Sequence, residues 1–213
     1  TDPVADENGY GDGDYGEVYG KLYNYYAVID PRGLCPQGSH VPSDKEWQET
    51  FDRISGDMMK STIGWHKSGN GTDKSGFDGR PGGFSNGSGD HYDLGSKGIW
   101  WSSTENQGFG AWHWGLNYNG CNSKYCQNGK ERTVDHEANG HSVRCIKDDG
   151  KGNDKVKNSK KDGKSNDKVK NSKKGSLKVE PVKANFRTVK IGKKAWMPYN
   201  LNVSKFRNGD PIP

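Results

Sequence analysis

The sequence predicts an α+β fold, rich in loops, made of short antiparallel strands and one or two short helices, and braced by disulfide bonding. Three observations carry this expectation. Residues 33–47 (GLCPQGSHVPSDKEW) hold a punctuated helix start, several short aromatic and β-branched runs read as strands, and four cysteines stand in a chain poor in aliphatics. Only 29% of the 213 residues are in the hydrophobic set, yet there are seven Trp and ten Tyr. Burial must therefore come from large aromatic side chains rather than from a thick Leu/Ile/Val core.

The helix is the best-specified element. Ser43 is a natural N-cap, and Glu46 three residues on can return a bond to its backbone N–H, completing a capping box. Pro42 and Trp47 suit the apolar staple. Trp47, Phe51 and Ile54 recur at helical spacing, which predicts about three turns with one apolar face. Residues 1–18 are Asp/Gly/Tyr-rich and aperiodic. Residues 19–30 (YGKLYNYYAVID) suggest a buried strand or a short helix entering the core.

After the helix, the glycine-rich stretch 61–98 predicts long ordered loop with short extended pieces. Ile99, Trp100 and Trp101 read as one strand, and residues 111–114 as another, with Trp112 and Trp114 on one side and His113 on the other. Residues 141–147 (HSVRCIK) read as a last strand. Residues 149–179 repeat NDKVKNSKK with a thirteen-residue period, and eleven Lys against four Asp give this stretch a net charge of +7. Such a composition cannot bury enough surface to offset chain entropy, so it reads as a solvated linker. Beyond it, residues 189–197 read as a hairpin with a Gly-Lys turn. The expected organisation is a main body over 1–148, the linker over 149–179, and a head segment over 180–213.

Net charge of +5 for the whole chain conceals opposite parts. The 1–148 body has 14 basic and 21 acidic residues. A nucleic-acid partner would need a basic patch on a folded face, so none is expected. No run approaches the roughly 18 apolar residues of a membrane span. The chain begins at Thr1 without a leader sequence, as expected of a mature form or a fragment.

Four cysteines allow three pairings. Cys35 has its best partner 110 residues away at Cys145, as a clamp on the body; two buried free thiols are the plain alternative. Without a CxxC, a structural zinc site is poorly supported. An even cysteine count fits an oxidising, secreted or cell-surface location.

Five ordered motifs then resemble one family, the Fibrobacter succinogenes major paralogous domain: residues 19–28 (YGKLYNYYAV), 33–47, 79–84 (GRPGGF), 98–104 (GIWWSST) and 141–145 (HSVRC). The resemblance implies a C-type-lectin-like fold shared with formylglycine-generating enzymes, in secreted or lipid-anchored surface proteins. Residues 188–213 resemble the opening of the same domain, so the order is permuted. The head either folds back on the body, which is the preferred reading, or begins a second copy in a tandem array. A linker of this length reaches about 30 Å on average, enough to cross the domain.

Candidate sites follow. Cys121 and Cys126 read as a local disulfide. A Cys-x4-Cys followed by Val143, Arg144 and Cys145 also resembles the copper-binding thiolate pair of formylglycine-generating enzymes, but Tyr118 stands where those carry serine. Asp6, Asn8, Asp12, Asp14 and Glu17 approach a calcium loop, spoiled by Tyr10 at its fifth position. No cofactor is expected, calcium being the one candidate. Trp112, His113, Trp114, Asn117, Tyr118, Asn119, Asn122, Lys124 and Tyr125 combine rigid aromatic area with adaptable hydrogen bonding, the chemistry of a recognition face. Asn117, Tyr118, Asn122 and Tyr125 are the ones expected to be exposed. With no G-x-S-x-G, H-E-x-x-H or P-loop, the expected role is non-enzymatic. It is a surface domain binding an extracellular polysaccharide or surface protein. A copper-dependent oxidase and a structural spacer are the rivals.

Overall fold

The structure, a computed structural model, describes residues 15–120, 126–149 and 186–213. Nearly all of the 149–179 linker and four of the five calcium-loop residues (Asp6, Asn8, Asp12 and Asp14) lie outside them.

Among the described residues four short helical segments stand where one or two were expected. The chain enters through α1 (Tyr15–Tyr19), β1 (Leu22–Tyr23) and α2 (Tyr25–Val28), so the 19–30 run is both strand and helix. Next come β2 (Ser39–His40) and α3 (Asp44–Phe51). The capping box is complete: the Glu46 N–H donates to Ser43 Oγ, and Glu46 Oε2 accepts from the Ser43 N–H at 2.9 Å. The helix is shorter than expected, because Ser55 N-caps a new one, α4 (Gly56–Met59), which leaves Ile54 in the break. Ile54 still packs on the core.

Strands β3 (Gly82–Ser85), β4 (His91–Leu94), β5 (Lys97–Glu105) and β6 (Ala111–Asn117) follow, then β7 (Cys126–Gln127) and β8 (Lys130–Asp135). The expected last strand is split into β9 (His141–Ser142) and β10 (Ile146–Lys147). Between them Val143 and Cys145 leave the ladder and accept backbone bonds from Leu201 and Met197. The C-terminal hairpin is β11 (Val189–Ile191) and β12 (Lys194–Trp196), turning at Gly192 with φ +60°.

The larger sheet runs β1-β9-β5-β6-β8-β7, with β3 and β4 attached at β5. The smaller runs β11-β12-β10-β2, so two strands after the linker complete a sheet with two from the body. The architecture is α+β, mostly strand, with Cys35 and Cys145 disulfide-bonded at a Cα separation of 5.9 Å.

Aromatics fill both cores. One gathers Trp47, Phe51, Phe77, Trp100, Trp114 and Trp196, with Trp47 and Trp196 ring centroids 4.5 Å apart. The other gathers Tyr23, Tyr25, Trp101 and the disulfide with Leu201 and Phe206. Arg144 is fully buried between body and head. Its guanidinium donates to Asn200 Oδ1 at 2.6 Å and to the carbonyls of Phe77 and Asp78. Desolvation lowers its pKa against the pull of the Asp78 and Asp73 carboxylates.

An ionic cluster also joins head to body. His40 bonds Glu46 and Asp148, and Lys194 bonds Glu46 at 2.8 Å. The Glu46 bond raises the His40 pKa above its ordinary value, with Asp148 adding to it. The stability this confers is complete below about pH 6.5 and is lost as pH rises through the folded-state value. At 42% side-chain exposure His40 is solvent-screened, so the loss is under about 1 kcal/mol. Between pH 6 and pH 8 the melting temperature should fall by a degree or two more in the unaltered protein than in His40→Gln, measured by circular dichroism.

Candidate binding groove

Strand β8 reads KERTVD and every residue of it is half-buried. Its long cations reach across to both ends of α3. Arg132 forms a two-pronged pair with Asp44 in the first turn, at 2.9 and 2.7 Å. Lys130 Nζ donates to the Phe51 carbonyl at 2.6 Å, where the helix leaves carbonyls unpaired. Trp114 Nε1 donates to Asp44 as well, and its ring meets Phe51 at 4.8 Å. Helix α3 is thereby pinned over one face of β6 and β8.

An open groove of about 520 Å³ remains beside this contact. Phe51 and Trp114 lie at its base, and Trp112, Arg132, Thr133 and Val134 form its sheet side. Gln48 and Asp52 come from the helix, and Asn106 and Gln127 from adjoining loop and strand. Arg132 stacks on Trp112 with its guanidinium carbon 3.6 Å from the ring centre. Most charges here are engaged locally: Gln48 donates to Asp52, and Asn117 donates to Glu131. The uncharged polar lining is the Trp112 and Trp114 indoles, the Gln48, Asn106 and Gln127 amides and the Thr133 hydroxyl. Phe109, 77% exposed, sits on the same turn as Asn106.

The expected recognition residues divide. Trp112 lines the groove half-buried, and Tyr118 is half-buried under Lys67. Asn119 is exposed. Asn122, Lys124, Tyr125 and Cys121 lie outside the described residues. His113, Trp114 and Asn117 are buried, which corrects the expectation of exposure for Asn117. Strand β6 lies between β5 and β8 and is covered on both faces, by α3 on one and by Trp101 and His141 on the other. Asn117 spends its amide on Glu131 and the Cys126 sulfur. Cys126 is disulfide-bonded. Glu17 lies in α1 and accepts from Asn202 at 3.2 Å.

Gln48, Asn106, Phe109, Gln127 and Arg132 were missed. Their sequence signals are weak: an aromatic between two glycines in a turn, and polar residues on the open face of an amphipathic helix.

A second cluster lies behind β6. One ligand-type atom from each of His113, Asp135 and His141 falls within 4.8 Å of the others. His141 Nε2 is 3.0 Å from Asp135 Oδ2, and the two imidazole centres are 4.8 Å apart. Desolvation pushes His113 down to about 3, with His141 adding to the effect. Desolvation also lowers His141, against the pull of Asp135. Burial thus disfavours the charged form of both rings.

A sequence profile described as the Fibrobacter succinogenes major domain matches residues 5–147, about two thirds of the chain. The chain belongs to the Fibrobacter succinogenes major domain family. No curated protein and no solved structure matches it. The family match ends at β10, so the head strands that complete the smaller sheet lie beyond it. In this member of the Fibrobacter succinogenes major domain family, the groove and the histidine cluster both fall within the matched stretch.

Proposed function

We propose that this protein is a non-enzymatic, extracytoplasmic binding domain that holds a polysaccharide chain in the groove between α3 and β8. The observation that carries this reading is the lining of that groove. It has two indoles, three amides (Gln48, Asn106 and Gln127) and the Thr133 hydroxyl, and its four charged side chains are each bonded locally, in a volume typical of ligand sites. A neutral polyhydroxylated chain matches that lining better than an anionic ligand, because the cations there are already bound to Asp44 and to helix carbonyls. The disulfides fit a secreted or surface location, and no helix among the described residues is long and apolar enough to cross a membrane. Short strands, a capped helix and a clamp between the early loop and β10 also accord with a C-type-lectin-like fold.

The test is a panel of cell-wall and extracellular oligosaccharides, followed by titration of the best binder through tryptophan fluorescence. Trp112→Ala should weaken binding at least tenfold while leaving the fold intact, since an aromatic anchor typically contributes 2 kcal/mol or more. Unchanged affinity in Trp112→Ala, or no binder on the panel, overturns the reading. Two free thiols under denaturing titration, with Cu(I) uptake, would replace it with the oxidase.

A further inference from the structure

Buried polar atoms are almost always hydrogen-bonded, so exceptions need a reason. Among the described residues three buried side-chain nitrogens have no partner, and two of them are His113 Nδ1 and His141 Nδ1. These two rings face each other across β5 on the side of β6 opposite Trp112. His113 is 5% exposed and His141 is fully buried. With His141 Nε2 on the Asp135 carboxylate, a neutral His141 keeps a bare lone pair at Nδ1 and no donor to meet it.

We propose that His113, Asp135 and His141 bind one divalent transition-metal cation of the zinc type. Two imidazoles and a carboxylate are a recognised zinc donor set, leaving a fourth position for water. Donor atoms around tetrahedral zinc stand about 3.3 Å apart, given metal–ligand bonds of about 2.0–2.1 Å. One donor atom from each of the three groups lies within 4.8 Å of the others, so closure needs the Asp135–His141 Nε2 hydrogen bond to give way and side chains to move by about 1.5 Å. Asp135 has the freedom for it: it ends β8 with its side chain 28% exposed, which also gives water and ion a way in. Asn139 Nδ2 and the His136 N–H already donate to its other oxygen, the kind of outer contact that orients a carboxylate ligand. Trp101 packs its ring 4.2 Å from His141 and keeps the inner side dry.

Zinc added to the full chain, in competition with a chromophoric chelator, should bind at one equivalent with a dissociation constant of micromolar or tighter. His113→Phe, which keeps ring packing, and Asp135→Asn should each weaken it at least about tenfold. His40→Gln, whose ring is engaged by surface carboxylates, should leave it unchanged. Because core variants can unfold, the imidazole nitrogen NMR signals of His113 and His141 in the unaltered protein are the second readout, and zinc should shift both. The proposal is overturned by an absence of stoichiometric binding, by equal affinity in folded His113→Phe, by loss of binding in His40→Gln, or by unmoved imidazole signals.

Discussion

Asn200→Ala should lower the stability of this protein by about 3–5 kcal/mol, with a fall in Tm on the order of 10 °C. The magnitude comes from what one side chain holds. Its Oδ1 accepts from Trp100 Nε1 at 2.8 Å and from Arg144 at 2.6 and 3.2 Å. Its Nδ2 donates to the Tyr19 carbonyl and to Ser142 Oγ. Alanine would strip a buried guanidinium of its only side-chain acceptor among the described residues and leave a buried indole N–H unmet. Bonds to charged groups contribute about 1.5–3 kcal/mol each, and a stranded buried donor costs a further 1–3. Asn200→Asp tests the same account from the other side. It keeps the acceptor and brings a charge to Arg144, but loses both donated bonds, so it should cost less than alanine. Thermal melts of the three proteins at pH 7 decide it. Equal, small losses in both variants would mean that Arg144 is satisfied without the head.

This same contact explains how far the fold could be read in advance. The capped helix was legible because Ser43, Glu46 and Trp47 act through neighbours in sequence, and the β11–β12 hairpin because its turn is local. Nothing in the sequence around Arg144 says that it is buried against a residue 56 positions away. Strand β8 escaped notice for a related reason. Its charges alternate with nothing apolar until Val134, since it is a half-buried strand whose Arg and Lys stems cover α3 rather than face water. For β6 the expected alternation holds, but both sides are covered: α3 packs over Trp114, and Trp101 and His141 pack against His113. The histidine cluster had no spacing signal at all, because β5 stands between β6 and β9 in the sheet.

Removing the Cys35–Cys145 bridge through Cys35→Ser with Cys145→Ser should cost about 4–5 kcal/mol, the chain-entropy value for a closed loop of this length. That is a large share of the 5–15 kcal/mol typical of a folded domain. The two half-cystines are 2% and 0% exposed, and the head covers them from both sides. Arg207 donates to the Cys35 carbonyl at 2.8 Å, and the Met197 N–H donates to that of Cys145 at 3.0 Å. Two consequences can be separated by experiment. Dithiothreitol should leave the bridge intact under native conditions and reduce it only as denaturant opens the head, so reduction and unfolding should share one midpoint. Combining the serine pair with Asn200→Ala should abolish cooperative unfolding, because the covalent and the hydrogen-bonded clamps hold the same 143–145 segment and neither then remains. Rapid reduction in buffer, or a triple variant that still melts in a single sharp transition, would show that the aromatic cores hold the body together without either clamp.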